Sequence, residues 1–229
     1  MNYFLVECCA NSVASAINGV IGGANRIELC TDLEVGGLTP KRDDIFQAKK
    51  KLNIPLHVLI RPRAGDFIYT DDELIDMIDD IQSCKTVGCE GVVIGALHKN
   101  GAINIEQTQQ MVKAAKPMRV TFHRAFDKGN DLRKNLEDVI ACGCDTLLTA
   151  GQSENINSGI SNLEQLIKLA KGKITVLAGS GVNHTNAEAL YKIGIRNFHL
   201  SGSIKNQKGK LETDPLLIKQ MKDKLEQIV

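Results

Sequence analysis

Short apolar runs alternate with amphipathic stretches along the chain. Eight runs have the length and β-branched content of buried strands: FLVEC, RIELC, LHVLIR, GVVIGA, RVTFHRAF, TLLTAG, ITVLAG and NFHLSG. Each strand with its following helical stretch takes up about 23 to 35 residues, the size of one crossover unit. The pattern predicts an α/β fold, a compact (β/α)₈ TIM barrel that forms a single domain over residues 1–229. Its active face should lie at the C-terminal ends of the strands.

Two of the predicted helices carry recognisable start signals. Thr70 followed by Glu73 has the spacing of a capping box and predicts a helix over 71–87. Thr39 and Pro40 occupy the cap and first-turn positions of a second predicted helix, 40–51. Each helix lies between two predicted strands, as the alternation requires.

An internal repeat supports the barrel more strongly than periodicity does. One set of segments, each a helix-ending glycine followed by a strand, comprises GANRIELC, GCEGVVIG, GCDTLLTA and GIRNFHLS. A second set, PLHVLIRP, PMRVTFHR and KITVLAGS, aligns Val58 with Val120 and Val176. Strands 2, 4, 6 and 8 thus form one set and strands 3, 5 and 7 another. We expect a closed barrel built from βαβα quarters.

Alternation along each strand separates outward-facing from inward-facing residues. We expect the bulky apolar set to face the helices: Ile27, Leu29, Val58, Ile60, Val120, Phe122, Phe198 and Leu200. The opposite parity faces the barrel interior near the mouth: Glu7, Cys9, Glu28, Cys30, Arg61, Arg63, Thr121, His123, His199 and Ser201. The sequence therefore predicts a polar ring at the catalytic face of the fold.

Acids and bases of this ring form the candidate catalytic set: Glu7, Glu28, Arg61, His123 and His199. Charged groups in one partly dry pocket perturb one another's pKa values and can serve as acid, base and anion holder. A single His or Arg at a strand end is more often a packed or salt-bridged residue. Several such groups on one face argue for a functional site.

Anion binding is predicted for a second, overlapping set: Arg61, Arg63, Gly179, Gly181, Ser201 and Gly202. The glycines lie in the turns AGSGV and LSGSI after strands 7 and 8, where barrels often bind an anion through backbone N–H groups. Glycines that only allow tight turns would explain the same pattern. The connection over 60–73 is the longest between a strand and its helix, and it has the length of a loop that closes over a ligand.

The charge balance and the cysteines indicate which kinds of partner and which cellular compartment to expect. Lys and Arg number 28 against 27 Asp and Glu, without a basic run, so we expect no nucleic-acid partner and no membrane partner. No segment approaches the roughly 18 apolar residues of a membrane span, and the start MNYFLVE lacks signal-peptide features. Seven cysteines without a Cys-x-x-Cys pair indicate reduced thiols. We expect a cytoplasmic protein that binds a small ligand.

Two of the cysteines, Cys9 and Cys30, lie at inward positions on neighbouring predicted strands. A strand spacing of about 4.8 Å lets their sulfurs converge on Cu(I), a soft ion that thiolates favour. Packing as small core residues would account for them equally well. Four others fall near helix ends or strand starts and are expected to pack: Cys84, Cys89, Cys142 and Cys144.

Seven motifs together resemble the CutC family, described as copper homeostasis proteins: VECCANSVASA, GGANRIELC, GGLTP, IPLHVLIRPRAGDF, VTFHRAFD, LTAGQ and AGSGV. The resemblance runs from about residue 4 to residue 203 in the same order. It implies a cytoplasmic TIM barrel, usually a homo-oligomer such as a dimer or tetramer, with Cu(I) binding. The family cysteines proposed to bind copper correspond to Cys9 and Cys30, and Cys8 replaces an apolar residue often found there.

Two functions are consistent with the sequence. The first is copper homeostasis, with Cu(I) held by Cys9 and Cys30 at the barrel mouth. The second is an enzyme acting on a small phosphorylated or carboxylated metabolite. In that case Arg61 and Arg63 would hold the anion, Glu7 or Glu28 would act as the base, and His123 would act as a proton donor or electrophile.

Overall fold

Eight parallel strands close into a barrel. The computed structural model describes residues 4–207 and 209–229. Its barrel strands are β1 (Leu5–Ala10), β2 (Arg26–Leu29), β3 (Leu56–Leu59), β4 (Gly91–Ile94), β5 (Arg119–Phe122), β6 (Thr146–Thr149), β7 (Thr175–Ala178) and β8 (Asn197–Leu200). Each strand pairs with the next, and β8 pairs in parallel with β1. The (β/α)₈ prediction is confirmed, and all eight C-terminal strand ends meet at one mouth.

Helices cover the outside of the barrel. They are α1 (Val13–Ile21), α2 (Arg42–Lys51), α3 (Asp71–Val87), α4 (Ile105–Ala115), α5 (Leu132–Ala141), α6 (Ile160–Ala170), α7 (Ala187–Lys192) and α8 (Pro215–Ile228). Short 3₁₀ helices, Leu33–Val35 and Arg124–Lys128, lie in the loops after β2 and β5. An antiparallel hairpin of β9 (Ser203–Lys205) and β10 (Leu211–Thr213) separates β8 from α8. Strands of three residues are too short to show a sequence pattern, and the hairpin is absent from the prediction.

The two predicted helix starts have different outcomes. The capping box of α3 is confirmed, because the Thr70 hydroxyl accepts from the Glu73 N–H and the Glu73 carboxylate accepts from the Thr70 N–H. The predicted start of α2 at Pro40 is wrong, since the helix begins at Arg42. Thr39 instead accepts a hydrogen bond from the Arg61 N–H at 2.8 Å, which fastens the loop to the end of β3.

The main core lies between the barrel and its helices. All eight apolar residues predicted to face outward are buried there, so the predicted parity is confirmed. The interior of the barrel holds a much smaller apolar cluster: Cys9, Cys30, Leu59 and Val93. Much of the remaining interior is polar, including Glu7, Glu28, His57 and Thr121. Burying ionisable groups in the centre of the barrel costs free energy that apolar side chains would not cost. Their presence there indicates a functional site.

All seven cysteines are free and buried. Cys84 lies in the last turn of α3 and Cys89 just before β4, while Cys142 and Cys144 bracket the turn between α5 and β6. These four lie at the opposite end of the barrel from the mouth, as expected for packing residues.

Candidate functional site

A buried ion-pair network lies in the barrel just below the mouth. Glu7 on β1 is fully buried, and its carboxylate accepts hydrogen bonds from the Arg26 Nε–H and from His199 Nδ1 at 2.7 Å. The strand register explains the convergence, because Glu7 pairs directly with both Arg26 on β2 and His199 on β8. Burial alone would raise the pKa of Glu7, but Arg26 and His199 outweigh it and hold that pKa well below its usual range.

A second carboxyl group, that of Glu28, lies next to this network. The Cys9 thiol donates to Glu28 Oε1 at 3.6 Å, and His199 Nδ1 lies 4.0 Å from Glu28 Oε2. Burial raises the pKa of Glu28 to about 7, against the opposing effect of His199. Burial lowers the pKa of His199, but Glu28, Cys9 and Glu7 together raise it well above its ordinary value. The network thus holds one carboxylate firmly ionised and a second near its midpoint at neutral pH.

The two inward cysteines meet beside Glu28. Cys9 Sγ and Cys30 Sγ are 3.9 Å apart. The hydrogen bond with Cys30, together with burial, raises the pKa of Cys9 well above its ordinary value, so its thiol is protonated at neutral pH. Cys9 lines the open cavity, whereas Cys30 is covered by Leu59 and by the turn at Gly37. Gly37 has a φ of 86°, and a Cβ there would lie 2.8 Å from Leu59 Cδ2, so only glycine fits this cover.

The mouth opens into a cavity of about 510 Å³. Its polar lining includes members of the predicted ring: Cys9, Glu28, Arg61, His123, His199 and Ser201. Ligand atoms of Cys9, Glu28 and His199 lie within 4.8 Å of one another, close enough to share one metal ion. The volume lies in the range of small-molecule sites. The cavity therefore has room for a ligand above the acid, imidazole and thiol cluster.

His123 is buried against the cavity wall beside Phe67, with ring centroids 4.8 Å apart. Burial and the nearby Arg61 lower the pKa of His123 to about 3, so the ring is neutral. Its Nδ1 accepts the Ala125 N–H at 3.1 Å, which leaves the hydrogen on Nε2. Among the described residues, that Nε2 has no hydrogen-bond partner. His123 therefore offers a neutral donor and lies outside the network of Glu7 and Glu28.

Arg61 has its guanidinium bound to backbone carbonyls. Its NH1 group donates to Val35 O at 2.9 Å and Gly37 O at 3.0 Å, and its NH2 group donates to Gly65 O at 3.0 Å. The guanidinium also lies 4.9 Å from the centre of the Phe67 ring. Arg61 thus joins the loops after β2 and β3 at the rim. The predicted catalytic and anion-binding roles of Arg61 stay predictions: these contacts use three of its N–H groups, whereas its buried Nε has no hydrogen-bond partner among the described residues.

Arg63 does not face the barrel interior as predicted, because it lies further along the loop after β3 than Arg61, where its contacts with Asp66, Ile68 and Glu73 set its direction. Its guanidinium pairs with Glu73 and Asp66 and lies 5.5 Å from the Tyr69 ring centre. These contacts hold the loop onto the start of α3. Arg63 does not line the cavity, so anion binding by this residue has no geometric support.

The predicted glycine turns divide into two groups. Gly179 is not at the cavity: its N–H donates to Thr149 O at 3.0 Å, and a Cβ would meet Leu148 at 2.5 Å, so close packing requires glycine. Gly181, Ser201 and Gly202 do line the cavity. Their anion-binding role stays a prediction that their position supports.

Several residues at the site are absent from the sequence prediction. Arg26 shares the parity of Glu28 on β2, and this signal could have revealed it. Arg124 and Lys128 line the cavity from the 3₁₀ helix after β5. Asp127 is nearly fully buried and accepts from the Ala150 and Gln152 N–H groups, each at 3.0 Å. It positions the loop after β6, a role that no sequence pattern indicates.

The fold and the site define a (β/α)₈ barrel with a cluster of acid, imidazole and thiol groups at its mouth. The model of the CutC family matches residues 4–204. The chain belongs to the CutC family. A family protein CutC from Bacteroides fragilis is 45% identical over 203 residues, covering 88% of this chain and 81% of that protein. One from Aliivibrio fischeri is 41% identical over 213 residues, covering 91% and 86%.

Solved structures agree with this assignment. A CutC protein from Streptococcus agalactiae, for which a copper homeostasis role is proposed, has a TM-score of 0.82 and 31% identity, covering 86% of this chain and 98% of that one. Thiamine phosphate pyrophosphorylase from Pyrococcus furiosus has a TM-score of 0.66 at 14% identity, covering 100% and 98%, and shares the fold alone. Within the described residues, no helix is long and apolar enough to cross a membrane.

Proposed function

We propose that this protein handles Cu(I) in the cytoplasm by binding it between Cys9 and Cys30 at the barrel mouth. The observation that carries the proposal is the 3.9 Å separation of the two sulfurs. A metal–thiolate bond is about 2.3 Å long, so one ion reaches both sulfurs without backbone movement. Thiolates are the ligands that Cu(I) prefers. A homo-oligomeric assembly stays part of the proposal.

The surroundings of the thiols support a metal as the ligand. Glu28 and His199 lie within reach of an ion at Cys9. The Glu7 carboxylate binds the Nδ1 atom of the His199 ring at 2.7 Å. Metal-binding histidines commonly have such a carboxylate partner, which fixes the ring orientation.

We expect Cu(I) affinity to depend on both cysteines. Anaerobic protein would be titrated with Cu(I) against a competing chelator, as wild type, Cys9→Ser, Cys30→Ser and the double variant. Each displaced thiol proton makes the affinity rise about tenfold per pH unit, so wild-type affinity should increase with pH. The matched control is Cys8→Ser, because this buried neighbour has the opposite parity and contacts Thr213 instead. Equal affinity in the wild type and the double variant would contradict the proposal.

A second candidate function is proton transfer on a small anionic metabolite. The specific observation in its favour is Glu28, a buried carboxyl that lines the cavity and whose Oε2 has no hydrogen-bond partner among the described residues. A pKa of about 7 gives both protonation states near the operating pH, as a general acid or base requires. His123 adds a neutral donor on the opposite wall. Glu28 is the candidate acid–base group, and His123 the candidate electrophile.

We expect Glu28 to titrate near neutral pH. Carboxyl ¹³C NMR on glutamate-labelled protein would follow the signal that disappears in Glu28→Gln, with an expected midpoint of about 7. His199→Asn should shift this midpoint upward, because it removes the positive charge that opposes the effect of burial. A Glu28 midpoint below about 5, close to an ordinary glutamate, would rule out this candidate.

A further inference from the structure

The turns after β7 and β8 face the cavity with unused backbone donors. Ser180 and Gly181 have left-handed φ values of 77° and 85°. In the parts of the chain that the structure describes, the N–H groups of Ser180, Gly181, Val182 and Gly202 donate to no protein acceptor. All four residues line the cavity. Such a concave set of N–H groups is suited to an anion.

The first of these turns is held in place without a ligand. The Ser180 hydroxyl donates to Glu154 O at 2.8 Å, and Ser180 O accepts from the Ile156 N–H at 2.8 Å. Both bonds fasten the turn to the loop after β6. A donor set that is already ordered binds its ligand at a lower entropic cost.

Positive charge lines the same cavity, from the loop after β5. Arg124 and Lys128 line the cavity, and Arg124 Nε is paired with Asp127 at 2.9 Å. Lys128 is exposed and forms no ion pair with any residue that the structure describes. Lys128 is therefore available to an incoming anion.

Two buried polar atoms independently indicate that the cavity takes a ligand. Glu28 and His123 are 4% and 5% exposed, and both line it. Neither Glu28 Oε2 nor His123 Nε2 has a hydrogen-bond partner among the described residues. Buried polar groups are rarely left unpaired in folded proteins, so a ligand that reaches both would complete their hydrogen bonding.

We infer that the turns after β7 and β8 bind the phosphate group of a small phosphomonoester, whose other end reaches Glu28 and His123. This inference rests on the second candidate function and names its substrate class. Phosphate carries about two negative charges and three free acceptor oxygens, which match four N–H groups and a lysine. A carboxylate, with two oxygens and one charge, would leave donors unused.

The test is a titration of the reduced, metal-free full chain with inorganic phosphate, followed by ¹H–¹⁵N NMR. Amide shifts should concentrate on Ser180, Gly181, Val182 and Gly202. Gly181→Asp should weaken phosphate affinity at least about tenfold, because it adds a negative charge at the anion. The matched control is Gly181→Asn, which has the same shape and the same left-handed strain without the charge, and it should bind within about threefold of wild type. Space is available, since no atom lies within 4 Å of a Cβ at Gly181.

A second pair of variants tests the same inference if substitutions at Gly181 prevent folding. Lys128→Gln should weaken phosphate binding several-fold, whereas Lys99→Gln, on an exposed lysine outside this cavity, should not. The inference would be overturned if Gly181→Asp bound phosphate as tightly as Gly181→Asn, and Lys128→Gln as tightly as Lys99→Gln. Amide shifts confined to other residues would also overturn it, as would tighter binding of acetate than of phosphate. Glu28→Gln should still bind phosphate. A failure to bind phosphate would overturn this inference alone. An ordinary midpoint in the pH titration of Glu28 would instead overturn the proton-transfer function, so the two results can be told apart.

Discussion

Glu7→Gln should lower the free energy of unfolding by about 3 to 5 kcal/mol, the usual cost of removing one partner from a buried ion pair. The substitution keeps the shape of the side chain but leaves the Arg26 guanidinium and the His199 ring without their carboxylate. The His199 pKa should fall, because the hydrogen bond to Glu7 is one of the contacts that raise it. Urea unfolding and imidazole NMR titration would measure the two effects.

The pH dependence of this loss follows from the two shifted pKa values. The folded pKa of Glu7 lies below its unfolded value of about 4.3, so its contribution is complete above that pH and is lost as pH falls towards the folded pKa. The folded pKa of His199 lies above its unfolded value of about 6.5, so its contribution is complete below that pH and is lost as pH rises. The stability difference between wild type and Glu7→Gln should therefore be largest between about pH 4.3 and 6.5.

The matched control is Glu188→Gln, the same chemical change at an exposed carboxylate that pairs with Lys192 and Lys224. Solvent screens such surface pairs, so its effect should be much smaller. If Glu7→Gln unfolds like this control and leaves the His199 pKa unchanged, the buried network does not stabilise the barrel mouth.

Arg61→Met should lower the free energy of unfolding by about 2 to 4 kcal/mol, because methionine keeps an unbranched side chain of similar length but donates to none of the three carbonyls. The loop after β2, at Val35 and Gly37, should then no longer be joined to the loop after β3 at Gly65. Hydrogen exchange should increase over 33–37 and 65–67 while the opposite end of the barrel stays protected. Mass-spectrometric exchange and chemical denaturation would check this.

The comparison with Arg63→Met separates two roles for arginine at this rim. Arg63 is 39% exposed and makes surface ion pairs, so its loss should cost about 1 kcal/mol or less. If Arg61→Met keeps wild-type stability but loses phosphate affinity, Arg61 is an anion ligand, as the sequence predicts, and its hydrogen bonds to the three carbonyls do not stabilise the rim.

Copper binding and proton transfer share one contact, that between the Cys9 thiol and Glu28 Oε1. A thiolate at Cys9 would place two negative charges side by side in a buried site. Binding Cu(I) between Cys9 and Cys30 replaces two thiol protons with one positive charge and removes the Cys9 hydrogen bond that lowers the Glu28 pKa. It should therefore raise the Glu28 pKa, and the same ¹³C signal would report it. The two candidate functions can thus be examined on one protein sample.

The sequence alone determined the barrel and the inner face of its strands. Strand alternation assigned Glu7, Cys9, Glu28 and His199 to the interior, because side chains alternate strictly within a strand whatever its surroundings. The same reasoning placed the outward apolar set correctly. It failed at Arg63, which lies further into the loop after β3 than Arg61 and is turned away from the cavity by Asp66 and Glu73.

Which of the inward groups contact one another depends on the tertiary structure. The register between β1, β2 and β8 brings Arg26 and His199 to Glu7, and this pairing comes from barrel closure rather than from any local pattern. The loops decided the rest, since Arg61 is bound by carbonyls from two loops that are distant in sequence. The sequence gives the residue types and the face of the strand on which each residue lies. Contacts between segments that are distant in sequence depend on how the strands and loops pack.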